Sequence, residues 1–478
     1  MTTTVATDTT SAQTTLNTPI GELKYVNGYP SNETVNRLYD EMDFQRAAQA
    51  YLWSMPLVTA ASIRLGLFRD LGLSYYDIPL YENFLDTKSI YFTGNNITIY
   101  CAGIFDIGKD GPAVLEVPAG PSAGMLNDFW WRTSGIGNLG PDKGKGGKFL
   151  IVPPGYQNDL PAEGYFIVHS KMNDYMFFLR GFVVNGNVPG ASELLQKTRI
   201  YPYNQRNNPK PNRVVPATGK YVNTVEPEGL AYWKLLSDVI NNNPVEERDR
   251  FFIAMLRPLG IEKGKPFAPD PRQTRILEES ARVGHAMAQA TSFNPRLEGA
   301  RTYAGKHWEN TFLFNTKEGS QQEAEFYSQL DERLHYLYLG TWPAQAMNLP
   351  FPSGGQRYIQ SFKDQDGNWL DGAKNYRLHV PANVPAQQFW SVTVYDNLTR
   401  SMTMNHANKA AISSYDKIKL NDDGSTDLYF GPEAPAGLQT NWVDTSASKG
   451  WFVWFRFYAP TQPFFDKSWQ LPDFEIAN

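Results

Sequence analysis

The sequence predicts a multidomain α+β protein. Two antiparallel β-sandwich or jelly-roll-like domains are separated by a helical region and preceded by an N-terminal arm and helix. Three observations carry this. Short aromatic runs bounded by Gly, Pro, Asn and Asp recur from about Tyr76 to Ile200 and again from about Phe351 onward, the signature of strands and turns. Between them, from about Glu226 to Ala300, apolar residues change to three- and four-residue steps, the period of a helix face. The chain of 478 residues also exceeds the roughly 100–200 residues of a usual domain. The expected divisions are 1–75 for the arm and helices, 76–220 for the first β-domain, 221–345 for the helical region and 346–478 for the C-terminal β-domain.

Taken in order, MTTTVATDTTSAQTTLNTPIG reads as a Thr-rich mobile arm able to dock on a neighbouring subunit. Ser31 and Asn32 are suited to cap the helix that follows, where Leu38 and Met42, then Ala47 and Tyr51, fall four apart. Pro56 is expected to kink or divide it. SIYFTGNNITIYCAGIFDI, PAVLEVPA, GKFLIVPPGY, GYFIVHS and YMFFLRGFVV are the strands of the first β-domain. The Pro/Asn-rich YPYNQRNNPKPNRVVPATG cannot be regular throughout. Leu230, Trp233, Leu236 and Ile240 then mark one helix, PVEERDRFFIAMLRPLG and PRQTRILEESARVGHAMAQATS two more, and EAEFYSQLDERLHYLYLG a fourth. The last quarter holds NYRLHVPANVPAQQFWSVTVYDNLTRSM, DLYFGPEAP and NWVDTSASKGWFVWFRFYAPTQPFFDKSW. These are aromatic strands of a second sandwich.

Composition narrows the function. Apolar residues at 41% and aromatic residues at 14% supply ample core, which excludes wholesale disorder. A net charge of −5 and no basic tract argue against nucleic-acid binding. Cys101 is the only cysteine, so no intrachain disulfide and no cysteine-rich zinc site is possible. No run reaches the roughly 18 apolar residues of a membrane span. The visible N-terminus has neither a basic start nor an apolar core, which fits the cytoplasm; a removed signal peptide would place the protein in the periplasm or outside. No cofactor is indicated, and a homo-oligomer is expected from the arm and the many aromatics.

Several motifs invite a chemical reading. Gly120-Pro121-Ser122-Ala123-Gly124 has the form of a nucleophile elbow, but Pro121 restricts the turn and a β-turn explains it as well. GPDKGKGGKF, Gly140 to Phe149, mimics a phosphate loop without the required spacing and reads as a hairpin loop. The six histidines are scattered; a metal would require long-range convergence, for example of His169 and His379 with a carboxylate. At a strand end, Tyr395, Asp396, Arg400, Asn405 and His406 run into a loop, a common position for ligand contacts. Asp396 and Arg400 equally suit a salt bridge that pins the loop. Asn441, Trp442 and Arg456 offer an amide, an indole and a guanidinium suited to a carboxylate or a sugar. Arg456, set in WFVWFRFY, equally suits pairing with a buried acid.

The C-terminal strands carry a family pattern in Gly367, Asn368, Asp371, Gly372, Tyr376, Pro381 and Phe389 to Asp396, then Asn441, Trp442, Arg456, Tyr458 and Pro460. This resembles the uncharacterised family called domain of unknown function 1214. Asn95, Asn96, Tyr100, Asp128 and Val152 to Tyr156 resemble, more loosely, its frequent companion, domain of unknown function 1254. The resemblance implies a β-domain, helical region, β-domain order in a protein often exported in bacteria. It implies no catalytic residue.

Three functions are consistent with the sequence. One is a small-molecule or saccharide binding protein, with or without hydrolytic activity, using a cleft between the β-domains lined by Trp and Tyr. Another is a serine hydrolase built on Ser122. The third is an envelope or assembly protein without an active site.

Overall fold

The structure, a computed structural model, describes residues 13–314 and 324–477. The first twelve residues of the expected arm and the Glu323 start of the fourth expected helix lie outside them. From Gln13 the chain forms a three-stranded antiparallel meander, Gln13–Thr18, Gly21–Val26 and Tyr29–Pro30. Ser31 then caps the helix Asn32–Leu71 by accepting from the Thr34 amide, and Gly72 at φ 62° ends it. Pro56 neither ends nor divides this helix. The missing N–H and the ring cost about 3 kcal/mol or more, but the turns around it, Trp53 to Ile63, are buried on every side. The Pro56 carbonyl also accepts from the Trp131 indole at 2.9 Å, so neighbours hold the helix through the proline.

The first sandwich has a six-stranded sheet ordered Val214–Pro216, Ile78–Tyr81, Ile99–Asp106, Asp174–Gly181, Ser122–Asp128, Thr133–Gly137. It faces a four-stranded sheet ordered Phe166–His169, Gly147–Val152, Ala113–Val117, Arg199–Pro202. Pairing is antiparallel except for Val214–Pro216 on Ile78–Tyr81 and Phe166–His169 on Gly147–Val152. The second sandwich faces a five-stranded sheet, Glu309–Asn310, Gln356–Ser361, Trp451–Pro460, Ala386–Asp396, Ala411–Ser413, with a four-stranded one, Trp442–Val443, Thr426–Phe430, Tyr376–Val380, Glu475–Ile476. Glu309 and Asn310 pair with Gln360 and Ile359, so this sheet recruits chain well before residue 346.

A helical layer lies between the sandwiches. Gly229–Asn242 and Pro271–Phe293 pack on the long helix, and Leu330–Leu337 lies beside them. A Cβ at Gly284 would stand 2.6 Å from the Tyr51 ring, so only glycine permits this helix approach. Asp270 and Gln273 form a reciprocal capping box at the start of Pro271–Phe293. The last helix is shorter than its sequence pattern suggests, because Ala324 to Gln329 stay outside it.

Both large sheets are buried on two faces, and this places the site. In Trp451–Pro460 all ten residues are buried, which explains a strand sequence without polar alternation. Successive side chains point to opposite faces. Val453, Phe455 and Phe457 enter the core of the C-terminal sandwich, while Phe452 and Trp454 join the central core with the helices. Asp174–Gly181 divides the same way: Tyr175, Phe177 and Leu179 face inward, and Met176 and Phe178 face the centre. Arg180 and Arg456 share the parity of the centre-facing residues.

Candidate functional site

Where the outward faces of the two large sheets approach each other, they line a partly open cavity of about 110 Å³. Tyr100, Ala102, Phe178 and Arg180 come from the first sandwich, and Tyr358, Trp454 and Arg456 from the second. Ile63 and Leu67 of the long helix, the segment Tyr91 to Asn95, Tyr336 of the helix Leu330–Leu337, and Thr341 and Trp342 after it also line the wall. No Asp, Glu, His, Ser or Cys lines it among the described residues. Among the described residues the two arginines are the only charged groups on it.

Arg456 is 2% exposed and held entirely by neutral acceptors. It donates to Thr393 Oγ1 at 2.8 Å, the Thr93 carbonyl at 2.9 Å and Tyr395 Oη at 2.5 Å. Its guanidinium stands 5.4–5.6 Å from the Trp454, Tyr358 and Tyr395 ring centres, within cation–π range. Burial opposes its charge, but the oxygens of Tyr395, Tyr458 and Tyr358 raise its pKa above the ordinary value. The buried acid that its strand context suggested is absent among the described residues, so that reading is corrected.

Arg180, 8% exposed, leans on Gln356. With the amide turned so that its oxygen faces Arg180, that oxygen accepts from both terminal nitrogens at 3.0 and 3.2 Å, and the amide nitrogen meets Tyr358 Oη at 2.5 Å. Arg180 Nε has no acceptor among the described residues. Tyr358 thus links the two cations, its ring toward Arg456 and its hydroxyl on the amide that Arg180 holds. Burial pushes the phenols up, Tyr100 to about 12, and also raises Tyr358 and Tyr395. They remain neutral and cannot balance the arginines.

Thr93 and Trp342, both on the cavity wall, adopt φ of 44° and 57°. The left-handed region is rare for a β-branched or bulky residue and costs on the order of 1–3 kcal/mol. The Thr93 carbonyl accepts from Arg456 and from Tyr395 Oη at 3.3 Å, so the turn is over-determined by the groups beside the cavity.

The other residues singled out in the sequence scatter. Tyr395 supports the cavity from behind through Arg456. Asp396 and Arg400 do not pair: Asp396 Oδ1 accepts from the Leu398 and Thr399 amides at 3.0 and 2.8 Å. Arg400, at φ 57°, turns inward to Glu226 at 2.7 Å. Asn405 braces its loop through the carbonyls of Lys409 and Asp444, and His406 is exposed. Asn441 is buried, with its amide on the backbone of Lys419 and Asp427. Trp442 donates to the Gly431 carbonyl at 2.9 Å. Asp396, Asn405, His406, Asn441 and Trp442 do not line the cavity, whereas Arg400 backs its wall, with its guanidinium 4.2 Å from the Phe92 ring centre and its carbonyl accepting from the Thr93 amide at 2.8 Å.

Ser122 opens a strand rather than a strand-to-helix elbow. It is fully buried, and its Oγ has no partner among the described residues. The loop Gly140 to Phe149 leads into the strand Gly147–Val152. His169 and His379 lie in different sandwiches, and His379 Nδ1 meets Asp427 at 2.9 Å. Among the described residues no group of three His, Cys, Asp or Glu converges as a metal site.

Arg180 escaped the sequence reading. The signal was present as an arginine set among aromatics in YMFFLRGFVV, the same pattern that drew attention to Arg456.

With the geometry in place, comparison with known proteins supports the architecture. Residues 355–462 match the family described as a protein of unknown function, DUF1214, and residues 79–202 match DUF1254, also described as a protein of unknown function. The chain resembles both families, one in each sandwich. The VPA0106 protein of Vibrio parahaemolyticus, known from a crystal structure, aligns at TM-score 0.55 and 18% identity over 91% of this chain and 100% of its own. That likeness is one of fold. An uncharacterised protein from Burkholderia cenocepacia aligns at TM-score 0.39 and 10% identity over 93% of this chain and 97% of its own. No curated protein matches the chain.

Proposed function

We propose that the protein binds a small molecule in the cavity between the two sandwiches. The observation that carries this reading is an aromatic cavity built jointly by both sandwiches and the helical layer, with strained backbone at Thr93 and Trp342 beside it. Ligand sites are concave and mostly apolar with a few placed polar groups. In another protein, a cavity of roughly 150 Å³ lined by aliphatic and aromatic residues stays dry and binds benzene, so the size of this one fits a compact ligand. Hydrolysis needs a nucleophile or a general base at the reacting atom. Among the described residues the cavity wall offers no carboxylate, imidazole, serine or thiol, only hydroxyls of Thr and of Tyr such as Tyr100 and Tyr358, whose phenols burial keeps protonated, and this favours binding.

Native mass spectrometry of the full chain, before and after mild denaturation, tests the proposal alongside Ala102→Leu. Ala102 lines the cavity, and leucine there fills it. A small molecule carried by the wild type, lost on denaturation and missing from Ala102→Leu, supports the reading. Equal retention by the variant overturns it.

A second reading, self-association, rests on a different observation. The meander and the start of the long helix expose Leu16, Val26, Tyr29, Tyr39 and Met42, with Tyr29 77% exposed. Sedimentation velocity checks it: an oligomer weakened by Tyr29→Ser with Tyr39→Ser supports this surface, and a monomer removes it.

A further inference from the structure

We propose that the ligand is a small monocarboxylate with an aromatic or compact apolar body, its carboxylate held by Arg180. This rests on the reading of the cavity as a ligand site and names what the site selects. A guanidinium stays protonated in proteins, and an unpaired charge out of water is costly. Elsewhere this chain answers buried guanidiniums with carboxylates: Arg400 with Glu226 at 2.7 Å, Arg64 with Asp174 at 2.6 Å, Arg132 with Asp128 at 2.8 Å. Arg357 is also held without a carboxylate, on the Leu349 carbonyl at 3.0 Å and beside the Phe464 ring, whereas Arg180 and Arg456 lack one together, at a single cavity. Neither has an ion-pair partner among the described residues, and the phenols around them are neutral. An anion is the missing complement.

The two arginines differ in what they have left to give. Arg456 is fixed by three acceptors on its terminal nitrogens and contributes chiefly its charge. Among the described residues Arg180 bonds only the Gln356 amide, and its Nε–H, itself buried from contact with water, has no acceptor. A guanidinium edge with free donors matches a carboxylate in a two-point geometry. A phosphate carries more charge and three strong acceptor oxygens, which this single free edge amid apolar walls does not satisfy. Phe178, Tyr336, Trp342 and Trp454 on the wall suit the apolar body, and the volume holds it to about the size of benzoate.

Titration calorimetry on the full chain with sodium benzoate, benzamide and phenylphosphonate tests this. The first two share shape and differ in charge, so the comparison needs no variant. Benzoate is expected to bind at least about tenfold tighter than benzamide, because charge-assisted hydrogen bonds are about twice as strong as neutral ones. Arg180→Gln should then bring the two to similar affinity, with its thermal transition confirming that it folds. Benzamide binding as well as benzoate would overturn the carboxylate assignment while leaving the cavity reading standing. Tighter binding of phenylphosphonate would overturn it in favour of a phosphoryl group. No binding of any arene, or binding unchanged in Ala102→Leu, would bring down the cavity reading as well.

Discussion

Replacing Glu226 by Gln tests whether one buried ion pair locks the three layers together. Arg400 leaves the C-terminal sandwich with 0% side-chain exposure and meets Glu226, 4% exposed, at 2.7 Å. Thr59 of the long helix donates to the other carboxylate oxygen at 2.9 Å, and the Tyr338 carbonyl accepts from Arg400 at 3.3 Å. The guanidinium also stands 4.2 Å from the Phe92 ring centre and 4.5 Å from that of Tyr338. Removing one partner of a buried pair costs about 3–5 kcal/mol, since the other charge is left without its counter-charge. The glutamine oxygen still accepts, and a neutral hydrogen bond returns about 1 kcal/mol. The expected loss for Glu226→Gln is therefore about 2–4 kcal/mol. Urea unfolding followed by tryptophan fluorescence and far-ultraviolet circular dichroism measures it as a lower midpoint. The double variant Glu226→Leu with Arg400→Met, which removes both charges, should recover most of the loss. A Glu226→Gln midpoint equal to wild type, or a double variant worse than the single, would refute the argument.

Two further outcomes are expected. Burial raises the Glu309 pKa to about 8, against the partial help of Arg301 at 3.4 Å, which is itself 43% exposed. The folded state then holds a proton that the unfolded chain releases near its ordinary value of 4.5. Stability should fall between those values as pH rises, by at most about 1.4 kcal/mol per pH unit, and Glu309→Gln should flatten the melting temperature across pH 5–8; an unchanged slope would exclude Glu309 as its source. Ser122→Ala deletes a buried hydroxyl that has no partner among the described residues, so its thermal midpoint should match or exceed wild type, and a fluorophosphonate probe should label neither protein; labelling lost in the variant would restore Ser122 as a nucleophile.

Much of the architecture was legible in the residues themselves. The aromatic runs between turn residues marked both sandwiches, and the helical spacing of Leu230, Trp233, Leu236 and Ile240 marked the helix Gly229–Asn242. Pro56 does not divide its helix: local propensity rates a proline by its missing N–H, whereas burial on all sides holds the helix through it. Glu309 and Asn310 were missed because a two-residue edge strand carries no periodicity. The polar cluster from Tyr395 to His406 looked like a site because polar residues at strand ends serve loop bracing and ligand binding with the same chemistry. Only their partners, such as Glu226 for Arg400, tell the two apart.

By itself the sequence determined the strands, the helices and, through the two-residue period of a strand, which side chains share a face. The parity of Arg180 with Phe178, and of Arg456 with Trp454, is fixed by chain geometry alone. What each face packs against was decided by the tertiary structure. Arg180 and Arg456 meet at one cavity because both sheets turn their second apolar face toward the same helical layer. That choice depends on contacts between residues far apart in the chain, which no local pattern encodes.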